Sequence, residues 1–282
     1  MPRRNRIQLV IALLLTTAAS TATAAEVLYA RSNGDWKAQS QPAEYSALNI
    51  LDGKPETVWC SAGTGQDAWI EIQLDEAVPL DRVMVRMGNQ SSPKAFRAFN
   101  RIKSLHLVAG DMTHPMQLAD SMDEQRQSLD PVAHTDRLLL RLKAGYRGTK
   151  VRHSCIADVI LYRGRRALNG PKLAKAIRRV GPKRPYLDTW VHGPQLHPTH
   201  RLMFGINDRF WLQYVPHDPT AESRRESGPF RIKAGQPEIR VDRNWVALPV
   251  KRDDAGRVLK LKVEGLGLLD GIYARRGEYG LH

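Results

Sequence analysis

The chain has 282 residues and a net charge of +14, a length that suits one large or two modest domains. After the N-terminal segment no stretch is apolar over about 18 residues, so a membrane-spanning helix in the mature chain is excluded. The positive charge favours anionic surfaces such as lipopolysaccharide, teichoic acid, acidic glycans or phospholipid heads.

Residues 1–25 read as a signal peptide. MPRRNR is a cationic start, IQLVIALLL is an apolar run too short to span a bilayer, and Ala22-Thr23-Ala24 fits a small-residue cleavage site. No cysteine follows that site, so the chain is not expected to be a lipoprotein. The expected location is periplasmic or secreted, and export argues against a nucleic-acid partner. In an oxidising compartment the two cysteines, Cys60 and Cys155, are most simply a disulfide; the alternative is a pair of free buried thiols.

From residue 67 the apolar pattern has the period of strands. Ile70, Ile72 and Leu74 share one face, with Trp69, Glu71 and Gln73 opposite. The sets Val83/Val85/Met87, Leu105/Leu107/Ala109, Leu138/Leu140/Leu142 and Ala157/Val159/Leu161 repeat the alternation. Turns rich in Pro, Gly, Asp and Asn separate them, and no helix longer than a turn or two is expected before residue 165. Short alternating strands without helical periods predict an all-β, antiparallel sandwich.

Residues 163–185 hold nine Lys or Arg and no acid. They read as a basic linker (165–185) with a short helix whose apolar face is Leu173, Ile177 and Val180, punctuated by Gly-Pro pairs. The linker is either a solvated connector or a patch that docks a polyanion. Strand character resumes at 186. Phe210, Leu212 and Tyr214 alternate. Val246, Leu248 and Val250 lead into the 253–256 turn and Leu259, Leu261 and Val263 return, which predicts a hairpin. Residues 186–282 are therefore expected to form a second, small antiparallel β-rich domain.

The pattern Asn49, Asp52, Gly53, Thr57, Trp59 is followed in order by three further pieces. They are a loop ending in Asn100-Arg101, the Tyr146-Gly148-Lys150 stretch, and the closing strand with Cys155, Ile156 and Asp158. Together they resemble discoidin, or coagulation factor V/VIII type C, domains. The nearest subgroup is the NAD glycohydrolase translocation, or NADase-type glycan-binding, domain, over residues 27–164. The resemblance implies a jelly-roll sandwich of the galactose-binding-like fold that binds its ligand through the loops at one end. In proteins of that architecture the glycohydrolase activity belongs to a separate catalytic domain, which has no counterpart here.

On this reading Asp52-Gly53 is a tight turn and Trp59 a core anchor beneath the loops, so the signature is scaffold. The resemblance also implies a calcium site at Asp52, Thr57, carbonyls near Lys54, and Asp158. No cofactor is required, because a metal-free hydrogen-bonded turn is the alternative. Asp158 is a shorter arm than the Glu usual in the subgroup, and Lys54 stands where an acidic or amide residue is common. Aromatic faces stack on sugar rings, while amides and cations bond hydroxyls or acidic substituents. The expected ligand residues are therefore Lys94, Phe96, Tyr146, Arg147 and Lys150, with the alternative that Phe96 plugs the sandwich end.

Catalytic chemistry is weakly signalled. His192, His197 and His200 lie close in sequence but between prolines; Ser223 and Ser227 occupy no G-x-S-x-G frame. Asp208 and Glu238 have no spacing that pairs them. The expected function is an exported, non-catalytic protein that binds a glycan or an envelope surface. The alternatives are an envelope-directed hydrolase with its chemistry in the C-terminal domain, and a scaffold for a protein partner.

Overall fold

A computed structural model of the protein describes residues 25–193, 199–218, 220–221, 223–254 and 256–276. All of the expected signal peptide except Ala25 lies outside them.

The first half is all-β. Its strands are β1 (Val27–Ser32), β2 (Trp59–Cys60), β3 (Trp69–Met87), β4 (Arg101–Ala109), β5 (Met112–Gln117), β6 (Gln125–Tyr146), β7 (Cys155–Arg163) and β8 (Arg166–Ala167). They pair antiparallel in the order β2-β7-β3-β6-β4-β5, with β1 on β3 and β8 on β7. The separate strands expected over 67–74 and 81–87 are one element, β3. Its pairing with β6 breaks register between Gln73 and Val78 and again between Leu80 and Arg82. Such irregularities bend strands and increase their twist, which lets one sheet fold back as the two layers of a jelly roll. Besides a 3-10 turn at Ala47–Leu51, one short α-helix, α1 (Pro93–Ala98), is capped by Ser92, whose Oγ accepts from Ala95 N at 3.0 Å.

The apolar sets from β3, β4 and β6 named above are buried, as are Val159 and Leu161 of β7. The opposite side of β3 is not open to water: Glu71 and Gln73 are buried too. Cys60 lies directly across from Cys155 in the β2–β7 pair, and the two sulfurs are bonded at 2.05 Å.

The second half is a nine-stranded antiparallel sheet. Its strands are β9 (Thr189–His192), β10 (His200–Phe204), β11 (Arg209–Tyr214), β12 (Arg224–Lys233), β13 (Gln236–Val241), β14 (Asn244–Ala247), β15 (Val250–Arg252), β16 (Val258–Val263) and β17 (Gly271–Arg275). The order is β14-β13-β12-β11-β10-β9-β17-β16-β15. The two edge strands, β14 and β15, are separated in sequence only by Leu248 and Pro249, so the sheet must curl until its edges approach each other. This corrects the expected hairpin. Val246, on β14, pairs with Ile239 of β13, and only the 250–252 arm pairs with β16, through a register shift at Lys251/Arg252.

The basic segment between the halves forms helix α2 (Pro171–Ile177) and a 3-10 turn, Gly181–Tyr186. Its apolar side chains Ile177, Val180 and Tyr186 are buried in a core that runs without interruption through both halves. Polar contacts complete the junction. Ile206 N donates to Leu28 O at 2.7 Å, Tyr29 Oη meets Thr189 Oγ1 at 2.5 Å, and Arg184 donates to Ser46 Oγ at 2.6 Å. Arg31 bridges Glu71 of β3 at 3.0 Å and Asp188 at 3.2 Å. Burial works to discharge Arg31, but Asp188 and Glu71 hold it protonated.

Candidate functional site

In the signature turn Asn49, Asp52, Thr57 and Trp59 each have a bonding task. Asn49 Nδ2 donates to the carbonyls of Ala43, Glu44 and Val58 at 3.1, 2.9 and 3.1 Å. Asp52 accepts from Lys54 N at 2.9 Å and from Thr57 Oγ1 at 2.8 Å. Gly53 sits between them at φ +67°, where a side chain is strained. Trp59 is fully buried, with its indole N–H on Asp35 Oδ1 at 2.9 Å.

Beyond that turn, three segments meet at one end of the jelly roll: residues 61–67, the α1–β4 corner and the β6–β7 loop. Two side chains hold them together. Asn100 donates to Arg152 O at 2.7 Å and accepts from Gly148 N at 2.8 Å. Arg101 forms a two-pronged pair with Asp120 (2.7 and 2.8 Å) and also donates to the carbonyls of Phe99 and Arg147. The close approach requires Gly148, where a Cβ would come within 2.4 Å of Ala98 O and Phe99 C.

Between these segments lies a cavity of about 400 Å³ whose walls include Gln66, Asn100, Lys143, Tyr146, Arg147 and Ser154. Two of the expected ligand residues, Tyr146 and Arg147, therefore line one site. The Tyr146 ring is half-buried and its hydroxyl donates to Leu118 O at 3.0 Å, which fixes the ring's orientation. Arg147 is exposed, as is Lys150 on the same loop. Lys94 is exposed on α1 and is not a wall of the cavity. Phe96 is a correction. Only 7% exposed, it packs in the core with Arg101 over its ring at 5.4 Å, so it plugs the sandwich end and offers no stacking face.

Sequence reasoning missed the cavity walls Gln66, Asn100 and Lys143, and with them an aromatic cluster. Trp36 stacks on His153 at 4.6 Å and touches Tyr45 at 4.4 Å and Phe99 at 5.6 Å. Lys37 lies over Trp36 at 4.7 Å. All five are partly exposed, and the three larger rings pack on Val58, Ala157 and the disulfide. The only sequence signal was a tryptophan and a tyrosine flanking the loop before the signature turn. The cluster itself forms from segments more than 100 residues apart.

Of the expected calcium ligands, Asp52, Thr57 and the Lys54 carbonyl share the turn, and Asp158 is close enough to feel the Asp52 charge. Thr57 Oγ1 also reaches Lys54 O at 2.9 Å. Asp158 Oδ1 is buried without a hydrogen-bond partner. Burial, opposed by Arg86, then reinforced by the Asp52 carboxylate, pushes the Asp158 carboxyl up to about 6. Two carboxylates, a hydroxyl and a carbonyl are hard oxygen donors of the type calcium takes, and an orphaned carboxylate oxygen is what such an ion would satisfy.

In the second half, His192 and His200 are cross-strand neighbours with rings 5.0 Å apart. His192 Nδ1 contacts Ile272 O at 2.9 Å, and His200 Nε2 contacts Leu268 O at 2.8 Å. His197 lies outside the described residues. Among the described residues no group of three His, Cys, Asp or Glu is placed to hold a metal. Asp208 is ion-paired with Lys183, and Glu238 with Arg231 at 2.7 Å, so each carboxylate is tied to its own cation.

The family model described as the NAD glycohydrolase translocation F5/8 type C domain matches residues 23–162. Comparison with curated proteins found no match. Among solved structures, chitosan-binding module 1 of a chitosanase/glucanase from Paenibacillus sp. IK-5 is 14% identical, with TM-score 0.37, covering 48% of this chain and 95% of the module. The family 32 CBM of C. perfringens NanJ, solved with galactose, is 14% identical, with TM-score 0.36, covering 49% and 99%. An F5/8 type C domain from Bacteroides fragilis is 16% identical, with TM-score 0.38, covering 49% and 96%.

Proposed function

We propose that this chain, whose first half is a NAD glycohydrolase translocation F5/8 type C domain, is an exported, non-catalytic protein that recognises a glycan of the cell envelope. The observation that carries the reading is the cavity at the loop end of the jelly roll. It is wide enough for one or two sugar residues, and it combines a fixed aromatic ring, amides and an exposed guanidinium. The Trp36–Tyr45–Phe99–His153 cluster supplies further partly exposed ring surface on the same domain. Sugar recognition needs such apolar ring faces beside donors in fixed positions.

Calcium belongs to this reading as a brace. Asp52, Thr57, the Lys54 carbonyl and Asp158 would hold it, and its charge would relieve the repulsion between the two carboxylates. Export rests on the N-terminal sequence, and the oxidised Cys60–Cys155 pair supports it.

The test is a glycan array probed with the whole mature chain, with and without EDTA. Saturable binding to a defined set of sugars, weakened at least tenfold by Arg147→Ala, is the expected result. A folded, disulfide-bonded chain that binds no sugar refutes it and moves the reading to a protein partner.

A further inference from the structure

The junction of the two halves contains a second cavity, of about 710 Å³, that shares no wall with the loop pocket. Its charged walls are Arg31, Asp35, Arg184, Asp188, Arg257 and Arg275, four guanidinium groups against two carboxylates. Two carboxylates outside the lining share the load, Glu71 on Arg31 at 3.0 Å and Asp253 on Arg257 at 2.6 Å, and the two in the lining have their oxygens engaged. Asp35 is occupied by the Ser32 hydroxyl at 2.5 Å and the Trp59 indole at 2.9 Å. Asp188 is already shared, with Arg31 at 3.2 Å on one oxygen and Arg275 at 3.8 Å on the other.

Arg257 at the rim is paired through Nε with Asp253 at 2.6 Å, but two of the deeper guanidinium groups are left short of acceptors. Arg31 uses Nε on Glu71 and Nη1 on Asp188, while its Nη2 is buried with no partner. Arg275 donates to Pro185 O, while its Nε is buried with no partner. A buried N–H without an acceptor is costly and rare in folded proteins, so two on adjoining arginines at one cavity require an explanation. Arg184 adds a half-buried guanidinium whose hydrogen-bond acceptor is the Ser46 hydroxyl. Burial lowers its pKa, with Asp35 opposing. Planar guanidinium forks match the oxygens of carboxylate and phosphate.

We propose that this cleft binds an oxyanion, the carboxylate of an acidic sugar or a phosphate group, with Arg184 and Arg257 at the accessible mouth and Arg31 and Arg275 at the base. The bound anion supplies the acceptors that Asp188 and Glu71 cannot, and its contacts reach both halves of the chain.

Isothermal titration of the whole mature chain tests this with three probes: inorganic phosphate, digalacturonate, and neutral lactose. The expected result is saturable binding of phosphate or digalacturonate and none of lactose at this site; which anion binds more tightly identifies the source of the oxyanion. Arg184→Gln/Arg257→Gln should weaken it at least tenfold, and Arg257→Gln alone, at a largely exposed side chain, by a smaller factor without unfolding the chain. Arg126→Gln removes the same charge from a residue outside the cleft and should leave affinity within twofold. Failure of both anions to bind overturns the proposal. Equal weakening by Arg126→Gln also overturns it, since that is general attraction to a chain of net charge +14.

Discussion

Replacing Cys60 and Cys155 together by alanine should cost this protein more stability than any other pair of small side chains. The bond links residues 95 apart in sequence. Closing a loop of that length in the unfolded chain is worth roughly 4–5 kcal/mol on the chain-entropy account, an upper figure where native strain intervenes. A smaller packing loss adds to it, because both side chains are fully buried with Val58 and Ala157 under Trp36, Tyr45 and Phe99. Urea unfolding of the oxidised protein, the reduced wild type and the double variant separates the two contributions. Reduced wild type keeps the side-chain volume and loses only the cross-link. The expected order of midpoints is oxidised, then reduced, then variant, with the first gap the larger. A first gap below about 1 kcal/mol would show that the reduced chain stays compact at this point and would refute the loop-closure argument. Unlinked cysteines in exported material, found by mass spectrometry of non-reduced peptides, would refute it more directly.

Asp158 makes stability depend on pH. Its folded-state pKa, raised to about 6, favours the protonated fold. Its contribution is complete below pH ~4 and lost as pH rises through 6, a span worth roughly 3 kcal/mol. Asp158→Asn should flatten that step in thermal unfolding without calcium. With calcium, the wild type should gain thermal stability near neutral pH and the variant should not; no shift in either would remove calcium from the reading. Gly148→Ala should destabilise the chain by roughly 1–3 kcal/mol, because its new methyl meets fixed backbone at 2.4 Å. It should also weaken binding at the loop pocket, measured on the same glycans as Arg147→Ala.

Much of the first half was legible because its strands obey a period of two and its turns carry residues with narrow conformational preferences. Asn49, Asp52, Gly53 and Thr57 are such residues, and each makes the local bonds its chemistry allows. What periodicity cannot show is where one strand bends from layer to layer. Strands 67–74 and 81–87 read as two elements because the acidic stretch between them breaks the alternation, although the backbone stays extended through the irregularities. Burial of Glu71 was equally hidden. A glutamate on an alternating strand reads as the wet face, and only Arg31 and Arg137, with Arg276 nearby, make its burial tolerable.

The candidate site divides the same way. Tyr146 and Arg147 were identifiable because an aromatic and a cation stand together in one loop. Phe96 was misleading for the same reason, since its position on a capped helix turns the ring inward. Asn100 was legible only as part of the family signature and Gln66 gave no signal, because an amide becomes a binding group only when three distant segments close around it. The basic run 163–185 shows how charge alone can mislead. Its nine cations suggest a solvated connector, yet Ile177, Val180 and Tyr186 anchor it in the shared core. Arg184 is drawn into the junction with them. The positive charge of this chain is thus partly internal, gathered where its two β structures meet. A protein built this way need not treat its second half as a passive appendage to the first: a ligand held by arginines from both would stabilise their packing, and binding there would be measurable as a rise in the stability of the whole chain.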